Sequence, residues 1–220
     1  MSSFDFEGKR IQLVEEMKLN GSIRGKAVEK AFLAVPREKF FPNEILGEAY
    51  IDHAFPIGKG QTISQPSTIA VMLEMLQVED GNKVLEVGAG SGYVAALLSE
   101  LAGKTGAVFG LELLHELHMQ AAKTLAMLGY ENIFLKCGDG TLGWRQQAPF
   151  DRILVSAASS SFAKPLASQL SSSGCAVAPI GNNFSQEMVL FGKRGRKIFE
   201  KARSGLFAFV PLKGKHGQEK

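Results

Sequence analysis

Three glycines alternate in "EVGAGSG" (86–92), directly after the apolar run "VLEV". A glycine-rich turn between a strand and a helix lets backbone N–H groups approach a ligand closely. A phosphate loop would need GxxxxGK[ST], and neither Lys-Ser nor Lys-Thr follows. A dinucleotide turn would need GxGxxG, but Gly88, Gly90 and Gly92 are spaced GxGxG and Tyr93 stands where its third glycine belongs. The remaining class is S-adenosylmethionine, cradled by E/DxGxGxG, which Glu86 completes with Ala89 between the glycines. Two more acids fit that ligand. Glu112, followed by Leu113, ends a second strand where ribose hydroxyls would need an acceptor. Asp139 in "CGDG" ends a third and could take the adenine amino group, with Gly140 leaving room for the base. A glycine turn alone also closes a tight connection without any ligand, and either acid alone would read as a solvated loop residue. Three strand ends pointing the same way argue for one cofactor, S-adenosylmethionine.

Methyl transfer from a sulfonium to an anionic oxygen is an in-line displacement. A carboxylate acceptor is already ionised at neutral pH, so positioning and electrostatics suffice without a general base. No catalytic triad is visible. The proline pair that amine-directed base methyltransferases carry after the fourth strand is missing from "VSAASSSF" (155–162). In "GQTISQP" (60–66), Thr62, Ser64 and Gln65 offer small hydroxyls and an amide that orient a carboxylate without competing for the methyl group. Ser64 would serve equally as a cap for the following helix.

These residues need a scaffold of alternating strands and helices. Strands are expected over 83–88, 106–113, 132–139, 151–158, 174–181 and 187–194, with helices from Tyr93, from Leu114 and over 162–174. Such alternation means a mostly parallel α/β sheet with helices on both faces. No helix separates the last two strands, so an antiparallel hairpin ends the sheet. Ahead of it, 10–19 and 26–35 have helical spacing, closed by Gly21 and Pro36, and 66–78 starts a helix at Pro66. Residues 52–67 show no periodicity and predict a long packed loop. The chain divides into a helical segment and substrate-side loop (1–80), a Rossmann-like core (81–212) and a basic tail (213–220), all in one domain.

The chain has 220 residues and a net charge of +3, from 25 Lys plus Arg against 22 Asp plus Glu. That excess is too small to argue for nucleic acid. The basic run Lys193, Arg194, Arg196 and Lys197 reads as a solvated hairpin turn. No signal peptide and no apolar run of about 18 residues is visible, so a cytoplasmic protein is expected, and a monomer. Cys137 and Cys175 read as buried free thiols; His115 and His118 share a helix face, but no third ligand supports a metal site. His53 reads as a packed loop residue. Trp144 is expected near the cofactor-side loop, where it could cover the adenine. Asn20-Gly21 is an unhindered pair of the kind that cyclises to succinimide.

Taken together, "AVPREKF", "PIGKGQTISQP" (56–66), "VLEVGAGSGY", "GDG" (138–140), "APFDRILVSAA" (148–158) and "PIG" (179–181) resemble the protein-L-isoaspartate O-methyltransferases, from about residue 34 to 212. "GQTISQP" is the specific segment, since ordinary class I methyltransferases lack it. The resemblance implies a class I methyltransferase sheet and S-adenosylmethionine. It further implies methylation of the α-carboxylate of L-isoaspartyl residues in damaged proteins and peptides, after which the ester re-closes to succinimide. Ser64 matches the family serine beside the substrate carboxylate; Thr62, Ile63 and Gln65 would line the cofactor and substrate cleft with it, Thr62 toward the cofactor, Gln65 toward the substrate and Ile63 toward both, and Ala157 would border the peptide. Relatives commonly carry an aromatic or His and then Met after "ISQP", where Ser67 and Thr68 stand, and Pro after "AA", where Ser159 stands. Both segments would border the peptide cleft. The alternatives are an RNA or small-molecule methyltransferase on the same fold, and a silent binding module.

Overall fold

The computed structural model describes residues 5–195 and 197–217; Arg196 of the basic run, residues 1–4 and the last three tail residues lie outside the described residues. Two helices lead, α1 (Phe6–Leu19) and α2 (Lys26–Ala34), followed by 3-10 turns at Arg37–Phe40 and Asn43–Glu48. Asp5 caps α1 by accepting the Gly8 N–H at 2.9 Å. After Asn20, the Asn20 side chain accepts from the Ser22 N–H and the Gly21 N–H donates to the Lys18 carbonyl. Both partners of a succinimide closure are therefore already engaged.

The expected long loop contains a small hairpin, β1 (Phe55–Gly58) with β2 (Gln61–Ile63). Lys59 and Gly60 turn it, both with positive φ, as two-residue hairpin turns require. Strands of four and three residues are too short to show a period of two, which is why the sequence reads as loop. Next come α3 (Pro66–Leu76), β3 (Lys83–Val87), α4 (Tyr93–Ala102), β4 (Ala107–Glu112), α5 (His115–Met127), β5 (Ile133–Cys137) and β6 (Phe150–Val155). The chain continues through α6 (Lys164–Gln169), β7 (Leu170–Gly181), β8 (Gln186–Arg194) and β9 (Lys197–Phe207). The helix expected over 162–174 stops at Gln169. Its last residues, Leu170 and the poor helix formers Ser171, Ser172 and Ser173, join β7 instead, with Leu170 opposite Phe150.

The seven-stranded sheet has the order β5-β4-β3-β6-β7-β8-β9, parallel from β5 to β7 and antiparallel through the last two strands. Alternate residues sort into two cores. Val84, Val108 and Leu154 pack with apolar residues of α1 to α5, whereas Leu85, Phe109 and Ile153 pack with Ala163 and Leu166 at α6. The thinner second layer is filled by rings: Phe109 lies 5.2 Å from Phe134, 5.8 Å from Phe150 and edge-on to Trp144 at 5.6 Å. Cys137 and Cys175 are free but half-buried, Cys137 at the end of the edge strand β5 and Cys175 within β7, where the Lys201 ammonium donates to its sulfur. Among the described residues no helix is long and apolar enough to cross a membrane.

Ile69 of α3 is completely buried where this helix meets the sheet. Ile69→Ala should destabilise the fold by about 2–5 kcal/mol, read from the midpoint of denaturant unfolding.

Candidate active site

The parallel register brings β3 and β4 out of the sheet side by side, with Val87 opposite Leu111. At that edge the chain turns through Gly88, Gly90 and Gly92, with φ of +88°, +54° and +88°. Only glycine takes such angles without strain. The N–H groups of Gly88 and the buried Ala89 donate to the Leu111 carbonyl at 2.8 and 3.1 Å. The Gly90 N–H donates to Glu112 Oε2 at 2.8 Å, while Oε1 of the same carboxylate accepts the Leu114 N–H at 2.9 Å. Gly92 is the N-cap residue just before α4, and a Cβ there would press on Leu125 and Ala121 of α5 at 3.1 and 3.2 Å. Gly90 and Gly92 thus shape the turn without lining the cavity beside it.

Glu86 is fully buried beneath the turn. Burial, reinforced by the nearby Glu112 and opposed by the Ser156 hydroxyl at 3.5 Å, pushes its carboxyl up to about 8. Its Oε2 has no hydrogen-bond partner. A buried acceptor without a donor is costly, so this atom suits a ligand group that can donate.

Two cavities open at this edge. The first is lined by Gly88, Glu112, Leu113 and Gly140, with Gln61, Val87, Leu111, Leu114, Ala157 and the segment Pro211, Leu212 and Lys213 completing its walls. Gly140 is needed there, since a Cβ would come 2.6 Å from Val87. The second is lined by Ser64, Gln65, Thr62, Thr68, His53, Ala54 and Ser156, and closed by residues 206–210, the last two residues of β9 and the three that follow. Thr62, expected on the cofactor side, opens into this second cavity, and Ala157, expected against the peptide, faces the first. Neighbours along an extended chain point opposite ways, so Gln61 and Thr62, Ser156 and Ala157, and Val210 and Pro211 are each divided between the two cavities. Ile63 lies in the core at 4% exposure and lines neither. Ser64 does not cap α3: Gln65 holds that position, and no side chain bonds there.

Asp139 stands beside the first cavity with its carboxylate already engaged. It accepts the N–H and hydroxyl of Thr141 at 2.9 and 2.6 Å, and the Lys215 N–H at 2.8 Å. Burial alone would raise its pKa, but these three donors together hold it below the usual value. The His216 N–H donates to Thr141 at 3.1 Å, so the tail lies along the acid. Gly214 permits the approach: a Cβ there would come 2.1 Å from Asp139 Oδ1.

A family model described as protein-L-isoaspartate(D-aspartate) O-methyltransferase matches residues 8–217. The chain belongs to this family. Its relatives include protein-L-isoaspartate O-methyltransferases of Dictyoglomus thermophilum, 45% identical over 97% of this chain and 94% of that one, and of Methanothermobacter thermautotrophicus, 41% identical over 95% and 97%. A solved protein-L-isoaspartate O-methyltransferase superposes with a TM-score of 0.84 at 30% identity, covering 94% of this chain and 67% of its own. A Plasmodium falciparum structure, assigned to the same enzyme and in complex with S-adenosyl-L-homocysteine, superposes at 0.82 with 25% identity over 96% and 99%. This agreement extends to the class I methyltransferase sheet.

Against the pattern common in these methyltransferases, Thr68 does line the second cavity. Ser67 turns its N–H to Asp52 at 2.8 Å. Ser159 is buried, not at the cleft, because its hydroxyl donates to the Ser161 carbonyl and its main chain bridges Pro179 and Gly181. His53 is exposed, edge-on to Phe55 at 5.5 Å, and opens into the second cavity rather than packing away. Trp144 packs against Phe109 and beneath Lys136, and does not line the first cavity. Gln61, Ser156 and 211–213 were not singled out from the sequence. Gln61 lies inside "GQTISQP" and Ser156 inside "APFDRILVSAA", so the motifs bracketed them, and Pro211 and Leu212 end the span of the resemblance. Among the described residues no three His, Cys, Asp or Glu side chains group as a metal site.

Because its carboxyl is raised, Glu86 holds a proton in the ligand-free fold that the unfolded chain releases above its ordinary pKa near 4.5. Its contribution to stability is complete below about 4.5 and is lost as pH rises through about 8. Glu86→Gln should therefore flatten the fall in melting temperature between pH 5 and 8, which thermal melts of the ligand-free protein across that range will measure.

Proposed function

We propose that this chain methylates the α-carboxylate of L-isoaspartyl residues in damaged proteins and peptides, with S-adenosylmethionine in the first cavity and the isoaspartyl segment in the second. The observation that carries this reading is the back-to-back arrangement of the two cavities, whose common walls are three consecutive residue pairs. When bound, S-adenosylmethionine supplies an electrophilic methyl group to a carboxylate oxygen.

The fit to that cofactor rests on the space kept by Gly140 in the first cavity and on the orphaned Oε2 of Glu86, which lines neither cavity but is buried two residues before Gly88 and would accept from an ammonium once its proton is released. Glu112, its carboxylate held by two main-chain donors, presents its remaining lone pairs to ribose hydroxyls. Asp139 and Gly140 take the adenine end, where the tail supports the acid from behind. Leu113 and the 211–213 segment cover the cavity and exclude water.

On the other side, the Ser64 hydroxyl donates to the substrate carboxylate and holds one oxygen toward the shared wall, with Gln65 and Thr62 beside it. An isoaspartyl α-carboxylate is ionised at neutral pH, so no residue has to remove a proton. The ester then closes to succinimide as the substrate's own main-chain nitrogen attacks the ester carbonyl, loses its proton and expels the methoxy group as methanol. The reading takes the enzyme as a cytoplasmic monomer without a nucleic-acid partner: net charge is only +3, and Lys193 of the basic run is used internally, donating to the Leu170 and Ser168 carbonyls.

Labelled S-adenosylmethionine should yield base-labile methyl ester on an isoaspartyl peptide and none on its aspartyl twin. Ser64→Ala should lower kcat by about tenfold to a hundredfold, and Asp139→Ala should chiefly weaken cofactor binding. Cofactor binding without ester on either peptide would keep the fold and sink the substrate, redirecting the search to RNA and small molecules.

A further inference from the structure

Arg37 opens the 3-10 turn after α2 and is completely buried. No carboxylate among the described residues comes within salt-bridge distance of it. An unpaired buried cation is expensive, so its place in the interior calls for a reason other than charge pairing. Its hydrogen bonds supply one. Nε donates to the Ala49 carbonyl and Nη2 to the Ser64 carbonyl, each at 2.9 Å, while Nη1 has no acceptor. The guanidinium plane also meets two rings, with its carbon 4.8 Å from the centre of Tyr93 and 5.2 Å from that of Phe41. Tyr93 is the first residue of α4, immediately after the glycine turn.

One planar group therefore touches Ser64 on the substrate side and the start of the cofactor-side helix. From the other direction Asp52 accepts the Gln65 side-chain amide at 3.1 Å and the Ser67 N–H at 2.8 Å. The peptide between Ser64 and Gln65 is thus held at its carbonyl by Arg37 and just beyond it by Asp52. Fixing that peptide plane fixes the direction in which Ser64 projects its side chain.

We infer that Arg37 is a positioning residue for methyl transfer, which sets the Ser64 hydroxyl against the shared wall of the two cavities by holding the Ser64 carbonyl. A lysine would keep the charge but not the fork that reaches Ala49 and Ser64 together while stacking on Tyr93. The inference rests on the methyltransferase reading of Ser64 given above.

The test uses Arg37→Lys and Arg37→Gln, each alone and combined with Ser64→Ala, with Tyr50→Phe as a control that perturbs the same N-terminal layer without touching Ser64. Melting temperature, binding of S-adenosylhomocysteine and the kcat and KM for an isoaspartyl peptide are measured for each. Arg37→Lys should lower kcat by about tenfold to a hundredfold, with the peptide KM and the Kd for S-adenosylhomocysteine changed less than about threefold. Added to Ser64→Ala it should lower kcat by no more than about twofold further, because both changes remove one interaction. Tyr50→Phe should melt lower with kcat unchanged. Multiplicative losses in the double variant, full kcat in both Arg37 variants, or failure of both to fold would each overturn the inference while leaving the enzyme's activity standing. If the wild-type protein forms no ester on the isoaspartyl peptide, the underlying reading falls, and this inference with it.

Discussion

The Gly90 N–H donates into the carboxylate of Glu112, and the rest of the site is arranged around that bond. The acid ends β4 and the glycine belongs to the turn after β3, so the contact exists only because parallel pairing keeps the two strand ends level. The second oxygen of the same carboxylate takes the Leu114 N–H just before α5. One side chain thus fixes the cofactor turn and the entry to the next helix. It also places a second carboxylate near Glu86, which burial already disfavours as an anion. One ionised carboxylate beside an acid that burial keeps protonated is an edge where an incoming cation is favoured, complementary to a cofactor that carries a sulfonium and an ammonium.

Division of labour between the cavities follows from the pleat. Consecutive residues of an extended segment face opposite sides, so each of three segments supplies one wall to each cavity, in the proposed reading one on the cofactor side and one on the peptide side. In that reading the reacting partners meet across residues that need no chemistry of their own. That suits a displacement whose rate comes from alignment and exclusion of water. The N-terminal layer completes the frame, since a guanidinium of that layer reaches the Ser64 loop and the first turn of α4 together.

Much of this was legible in the sequence where several residues had to cooperate. The parallel strands announced themselves by apolar runs, and the cofactor edge by glycines at positive φ, where a side chain is strained. What escaped depended on direction rather than identity. Thr62 and Ala157 belong to the right segments, but which of two adjacent residues faces which cavity is set by the hairpin's register, and strands so short leave no pattern. Ser159 looks like a cleft residue because it interrupts a motif, yet its hydroxyl is satisfied by Ser161 inside the fold. The three serines at 171–173 lie in the irregular stretch of β7 between Leu170, opposite Phe150, and Cys175, opposite Arg152, and local propensity does not report such flanking pairings with a strand distant in sequence. Asp139 was correctly marked as an acid at a strand end. That its carboxylate would be capped from behind could be seen only once the tail was in place.

The tail meets Asp139 and Thr141 through main-chain N–H groups of Lys215 and His216, not through their side chains. Such contacts constrain the path of the chain and leave its lettering nearly free. Drift at 213, 215 and 216 should be tolerated over evolutionary time, while Gly214 and Gly217, whose Cβ atoms would come 2.1 Å from Asp139 and from the Leu212 carbonyl, should resist replacement. An end of the protein that looks dispensable by composition would then carry a selective signature written only in its glycines.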